Sequence, residues 1–228
     1  MNVLYEDNHL IIVNKAPGEI TQGDKTGDEP LGEAVKRYIK ERYHKPGNVF
    51  LGLVHRLDRP TSGIVVMART SKALARMNAL FRDGGVQKTY HALLCNAPRE
   101  PQATLEHRLA RDERRNKSFV TAAGGQRAVL DYTTLGRTER YTLVEVRLHT
   151  GRHHQIRCQL AHIGCPIRGD LKYGAPRSNR DGSISLHARR VRFEHPVSGL
   201  IIDVTASYPP NSLFAVAFGA TQPDGTPA

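Results

Sequence analysis

Three short β-strand patterns follow one another in the middle of this sequence without an intervening helix, and they limit the folds that the chain can adopt. They run over Ser118–Ala122, Ala128–Leu135 and Tyr141–Leu148. The last alternates with a period of two, which is typical of a strand in a sheet covered on one side. Consecutive strands of this kind predict an α+β fold with a mixed, mainly antiparallel central sheet flanked by helices and loops. The sequence has no G-x-G-x-x-G motif, so a doubly wound nucleotide-binding fold is not indicated.

Helical spacing accounts for three other segments. One helix begins at Pro30 and ends near Tyr43, a second is capped by Ser71 and ends at Gly84-Gly85, and a third carries Ile156, Leu160 and Ile163. Further strands are predicted at the following places: a hairpin over Val3–Lys15, then Val49–Val54, Ile64–Ala68, Lys88–Cys95, Ile184–Ala188, Val191–Glu194 and Leu200–Thr205.

Length and charge set bounds on the class of protein. The chain has 228 residues, 39% of them hydrophobic, which is enough for one substantial core in a single domain with room for two lobes. The net charge is +11. From Arg137 to Arg192 there are 12 basic and 4 acidic residues, so most of the surplus lies in one quarter of the chain. A basic face of that size suits a polyphosphate partner, and ordinary solubilising charge is the alternative.

The three cysteines, Cys95, Cys158 and Cys165, form no C-x-x-C pair, so a disulfide framework is not expected and a reducing cytoplasm fits. Met1–Asp7 lacks a basic region followed by an apolar stretch, and no apolar run approaches the length of a membrane span. The sequence therefore predicts neither secretion nor membrane insertion.

The polar loop between Val49–Val54 and Ile64–Ala68 contains Asp58, the only acidic residue between Phe50 and Arg82. Arg56 and Arg59 flank it and favour its ionised form. From charge and spacing alone the aspartate could be a turn residue on the surface or a catalytic carboxylate. A hydrolase of the nuclease or glycosidase kind would require a second carboxylate or metal ligands nearby.

The string H-R-L-D-x-x-T-S-G, from His55 to Gly63, resembles the signature of the RluA-type family of RNA pseudouridine synthases. Other blocks of that family follow the same order along the chain, from Val3 to about Pro210. They are E-D-N-H-L-I-I-V-N-K at Glu6–Lys15, K-T-Y at Lys88–Tyr90, H-T-G-R-H-H-Q-I-R at His149–Arg157, G-C-P-I-R-G-D-L-K-Y-G at Gly164–Gly174, L-H-A at Leu186–Ala188 and F-E-H-P-V-S-G at Phe193–Gly199.

The resemblance implies a pseudouridine synthase fold and the isomerisation of uridines in structured ribosomal or transfer RNA. It makes Asp58 the essential carboxylate, places Tyr90 on the uracil and has Arg157 face and orient Asp58. Arg56 would contact the RNA near the displaced base, and His55, Arg59 and Arg152 are further RNA-binding candidates. No cofactor or metal is expected, the partner is RNA, and a monomer is the default.

The resemblance assigns 1–218 to the catalytic domain and leaves 219–228 as a disordered tail. It offers no room for the S4-like domain that often precedes this domain in the family. Gln159 and His153 depart from the usual pattern, where histidine and threonine are common.

Two other readings compete with the enzyme. The histidines around His149 and His162, with Cys158 and Cys165, lack the paired spacing of a structural zinc site. A non-catalytic RNA-binding protein or chaperone would explain the charge equally well. It gives no reason for Asp58, Tyr90 and Arg157 to occur together in the order of the family.

Overall fold

The computed structural model describes residues 1–23 and 27–218, which form two compact units. The first unit comprises Met1–Val86 and Arg189–Ser207, and the second comprises Gln87–Ala188 together with residues 208–218. The predicted tail at 219–228 lies outside the described residues, and the assignment of 1–218 to one catalytic domain stays a prediction.

In chain order the helices and strands are β1 (Val3–Glu6), β2 (Leu10–Lys15), α1 (Leu31–Arg42), β3 (Gly52–Leu53), β4 (Ser62–Ala68), α2 (Ser71–Arg82), β5 (Gln87–Leu94), β6 (Gln102–Asp112), β7 (Lys117–Val120), β8 (Gln126–Arg137), β9 (Thr142–Leu148), α3 (Gln155–His162), a 3-10 helix (Leu171–Tyr173), β10 (Leu186–Glu194), β11 (Ile201–Thr205) and α4 (Leu213–Phe218). None of the described helices is long and apolar enough to cross a membrane.

In the first unit, β2 and β4 form the centre of the sheet. The strand order is β1-β2-β4-β10, with β3 beside β4 and β11 beside β10. The two central strands are antiparallel, from Leu10 opposite Ala68 to Lys15 opposite Gly63. All seven residues of β4 are buried. The loop that carries Asp58 therefore leads directly into a completely buried central strand of this unit.

In the second unit, the order is β10-β5-β9-β8-β6-β7, and β10 enters it through Leu186–Ala188. Strand β9 is antiparallel to both β5 and β8, and β6 is antiparallel to β8 and β7. Leu93, Leu130 and Leu160 are completely buried in this unit. Helix α3 contacts β6 and β7, and six of its eight residues, Leu160 among them, are buried.

The structure confirms the α+β class and most predicted elements, and it corrects three of them. The run Val49–Val54 pairs only at Gly52–Leu53, since Phe50 is largely exposed and a Cβ at Gly52 would lie 2.6 Å from Leu74. Thr70, not Ser71, caps α2, because its side chain accepts a hydrogen bond from Ala73 N at 3.1 Å.

The third correction concerns β10. The strands predicted at Ile184–Ala188 and Val191–Glu194 are one strand, Leu186–Glu194. It continues through its two central arginines because they need not be buried. Arg189 bonds the carbonyl of Ala206, and Arg190 bonds both carboxylate oxygens of Asp203 on β11.

Candidate active site

Asp58 lies on a tight turn at the entrance to β4. Thr61 N donates to the carbonyl of Asp58 at 3.0 Å and closes the turn. The side chain of Leu57, the residue before Asp58, is buried in the core. Gly63 has a φ of 110°, a left-handed conformation that favours glycine and lets the chain enter the strand. The carboxylate itself is half-buried, so it is held by the loop while remaining accessible.

A buried lysine stabilises this turn. Lys15 is 1% exposed, and its Nζ donates to the carbonyls of Ala16, Glu19 and Arg59 at 2.9, 2.8 and 3.2 Å. Burial lowers its pKa to about 8, partly offset by the negative charges of Glu19 and Asp58. Gly18 N also donates to the Arg59 carbonyl, at 2.8 Å. The carbonyl of Arg59, the residue after Asp58, thus accepts hydrogen bonds from two donors.

The RNA-binding candidates of the first unit occupy different environments around Asp58. Arg56 is exposed, and its Nη1 donates to Gln22 Oε1 at 3.3 Å. The Arg59 guanidinium pairs with Asp28 at 2.5 Å. His55 is half-buried: its Nε2 accepts from Val66 N at 3.0 Å and its ring stacks on Phe81. These contacts give His55 a packing role on α2, and its proposed contact with RNA stays a prediction.

Tyr90 and Lys88 lie two residues apart on β5, so their side chains share one face of the strand. Tyr90 is buried, at 8% exposure, and is opposite Val146 on β9. Burial lowers the pKa of Lys88. This face therefore combines an aromatic ring with an amine that loses its proton more readily than an exposed lysine.

Arg157 is buried on α3 and forms a two-point ion pair with Asp170. Its Nε and Nη2 donate to the two carboxylate oxygens at 2.7 and 2.9 Å, and the side chains are 6% and 1% exposed. Such bidentate pairs fix the plane of the guanidinium as well as its position.

Tyr173 lines one side of that guanidinium, with its ring 5.1 Å from Arg157 Cζ. Its hydroxyl accepts from Ser118 N at 2.8 Å and lies 3.0 Å from His154 Nδ1. Burial raises the pKa of Tyr173 to about 12. His154 itself adopts a left-handed conformation (φ 52°) just before α3. The network joins α3, β7 and the 3-10 helix around Arg157.

Two other residues singled out in the sequence, one before α3 and one within it, have structural contacts. Arg152 is exposed and its Nε donates to the carbonyl of Arg127 at 3.0 Å. Gln159, in place of the common histidine, is completely buried with Nε2 close to His107 Nδ1 and to the carbonyls of Leu105 and Ala128. Gln159 thus joins α3 to β6 and β8.

Comparison with known proteins identifies the family. The model for RNA pseudouridylate synthases matches residues 9–162, more than half of the chain. The chain belongs to the RNA pseudouridine synthase family. Its activity is the isomerisation of uridine in RNA to pseudouridine.

Named relatives and solved structures agree with this membership. The ribosomal large subunit pseudouridine synthase D of Zymomonas mobilis is 32% identical, over 92% of this chain and 69% of the relative. The tRNA pseudouridine synthase C of Yersinia pestis is 30% identical, over 91% of this chain and 86% of the relative. The structure of the human RNA pseudouridylate synthase domain containing 4 superimposes with a TM-score of 0.76 at 24% identity, over 92% of this chain and 89% of that one, which supports the fold.

Within this pseudouridine synthase, the predicted site residues fall into two groups. Asp58 and its neighbours His55, Arg56 and Arg59 lie on one loop of the first unit, whereas Tyr90, Arg152 and Arg157 belong to the second. Sequence reasoning missed three supporting residues. The signal for each was present: Lys15 ends the first family block, Lys88 begins the K-T-Y block, and Asp170 is the only acid in Gly164–Gly174.

Proposed function

We propose that this pseudouridine synthase modifies uridines in ribosomal or transfer RNA, with Asp58 as its essential carboxylate, Arg157 as the residue that orients Asp58, and Tyr90 as the platform for the uracil ring. The observation that carries the assignment is the position of Asp58: a half-buried carboxylate on a turn fixed by Lys15 and by β4. A group so held loses little entropy when it reacts.

The reaction requires one bond to break and another to form on the same sugar carbon. The N1–C1′ bond of uridine breaks, the uracil turns, and C5 bonds to C1′; C5 then loses its proton and N1 gains one. Asp58 acts either by adding to C1′ or by removing a proton in an elimination, and both routes need its ionised form. Tyr90 stacks on the uracil and Lys88, on the same face of β5, offers a group that can exchange a proton near the ring.

Arg157 is suited to orienting a carboxylate because its own orientation is already determined. The Asp170 carboxylate accepts hydrogen bonds from Nε and Nη2, and the Tyr173 ring lies beside the guanidinium. These contacts hold the guanidinium in one orientation. The target base must leave its stack to reach Asp58, which costs a few kcal/mol and favours loops or bulges as targets. Arg56 and Arg152 would bind the flanking phosphates.

The substrate class follows the named relatives, one of which acts on the large ribosomal subunit and one on tRNA. A cytoplasmic location is consistent with the three cysteines, which form no disulfide among the described residues.

The test is the release of tritium from RNA that carries it at C5 of uridine. Unmodified ribosomal and transfer RNAs are incubated with the wild type, with Asp58→Asn and with Asp83→Asn, an exposed aspartate of the same unit that serves as the matched control. We expect release with the wild type and Asp83→Asn, and none with Asp58→Asn, which keeps its RNA affinity. The RNA that responds names the substrate class. Loss of affinity together with activity in a folded Asp58→Asn would contradict the catalytic assignment.

A further inference from the structure

A cavity of about 500 Å³ opens in the first unit next to the Asp58 loop. Three segments line it: the chain at Thr21–Gly23, the start of α1, and the stretch from Leu51 to Arg56. Met67 of β4, which is completely buried, closes its inner side. Pockets of this volume hold small organic ligands of the size of a nucleotide.

The lining has an apolar part and a polar part. Leu51, Leu53, Val54 and Met67 supply an apolar wall against which a flat ring can pack. Gln22 contributes an amide that both donates and accepts hydrogen bonds, the combination that reads the edge of a nucleobase. Neither part belongs to the catalytic constellation.

The charges of the lining favour an anion. The lining contains two basic residues, Lys36 and Arg56, and one acidic residue, Glu33, so its net charge is +1. The pair between Lys36 and Glu33, at 2.9 Å, is exposed, with 37% and 55% of the two side chains accessible. Exposed pairs of this kind are weak, so Lys36 can turn to a phosphate at little cost.

The cavity lies beside the loop that carries Asp58. Arg56 lines it and is two residues from Asp58, a separation of at most about 7 Å along the chain. We infer that the cavity binds a nucleotide of the substrate RNA adjacent to the target uridine, with its base on the apolar wall, its edge on Gln22 and its phosphate on Arg56 and Lys36. The inference rests on the proposed function for the identity of the RNA, and it makes this cavity a determinant of sequence context.

Gly32 provides a way to fill the cavity without disturbing the fold. It lines the cavity on α1, and a Cβ built there meets no atom within 4 Å. Leucine is also the better helix former at such a position. Gly47 is the matched control, because a Cβ there likewise meets nothing within 4 Å and the residue does not line the cavity.

The experiment compares the wild type, Gly32→Leu and Gly47→Leu in two measurements. The first is binding of the four nucleoside 5′-monophosphates, followed by ligand-observed NMR. The second is kcat/KM for tritium release from the responding RNA. We expect Gly32→Leu to lose about tenfold or more in both, and Gly47→Leu to match the wild type. The inference is overturned if Gly32→Leu matches Gly47→Leu in either measurement.

Gln22→Ala is a second variant, safe for folding because the side chain is exposed. We expect it to change the relative affinities of the four monophosphates, and an unchanged order would remove Gln22 from base recognition. The two proposals fail in different ways. If the wild type releases no tritium from any RNA, the proposed function fails. In that case, binding of a monophosphate that is lost in Gly32→Leu would still show that the cavity binds nucleotides.

Discussion

The carboxylate of Asp7 joins three parts of the first unit. Its Oδ1 accepts from the backbone N–H groups of His9 and Leu10, both at 2.7 Å, and Oδ2 accepts from the Tyr5 hydroxyl at 3.0 Å. His195, 2% exposed on the segment after β10, places its Nε2 3.0 Å from the same oxygen. Burial acts to raise the pKa of Asp7, but the hydrogen bonds from Leu10, His9 and Tyr5 and the charge of His195 outweigh it, so that the pKa is lowered.

A lowered pKa makes the contribution of Asp7 to stability depend on pH. The unfolded carboxyl titrates near pH 3.9, so the stabilisation is fully present above about that pH and is lost as the pH falls through the lower, folded pKa. We predict that Asp7→Asn costs about 2 kcal/mol of unfolding free energy at pH 7, as expected for hydrogen bonds to a charged group. Urea unfolding at a series of pH values measures the difference between the two proteins, which should shrink in acid. A difference that is the same at neutral and acid pH would show that the charge is not involved; Asp83→Asn, being exposed, is the control.

At the scale of elements, the ion pair between Arg157 and Asp170 ties α3 to the 3-10 helix. Both side chains are almost completely buried, so removing one leaves the other charged in a site with little water and without its ion-pair partner. We predict that Asp170→Ala lowers the unfolding free energy by about 3–5 kcal/mol. Urea or thermal unfolding measures the loss.

The matched control removes both charges. Arg157→Met with Asp170→Leu should recover much of the lost stability, because apolar side chains of similar volume can replace a buried ion pair. Its tritium release should be absent, since the guanidinium that we propose to orient Asp58 is gone. A double variant that recovers activity as well as stability would mean that Arg157 serves only to hold the fold.

Local patterns account for the elements that sequence predicted well, and tertiary contacts account for the rest. The spacing of Leu31, Val35 and Ile39 is sufficient to place α1, because one buried face determines a helix. The partner of Arg157 was not predictable from such spacing, since Asp170 lies 13 residues away beyond a turn and the pairing depends on how α3 packs. The cavity likewise arises from three separate segments, and Leu51, Leu53 and Val54 of the apolar run that was predicted as a strand line it.

At the scale of the whole molecule, the net charge is +11. The arginines that could bind phosphate differ in whether a neighbouring acid neutralises them. Some are neutralised by a neighbour: Arg190 bonds both oxygens of Asp203, and Arg127 bonds both oxygens of Glu106. The turn between β6 and β7 is different, because exposed basic side chains crowd around Arg114 there. Such a turn either contacts RNA phosphates or is only solvated.

Salt dependence decides between those two readings. Binding to phosphates releases counterions, so we predict that the logarithm of the RNA association constant falls linearly with the logarithm of salt concentration. Each lost phosphate contact should lower the steepness of that line by about 0.7 on single-stranded RNA. Fluorescence anisotropy with a labelled RNA fragment measures the slopes for the wild type, Arg114→Ala and Arg190→Ala. Because Arg190 is already paired, its variant should keep the wild-type slope, and Arg114→Ala should reduce it if the turn binds RNA. A flat response of the wild type would contradict phosphate-driven binding, and equal slopes for all three would assign the turn to solvent.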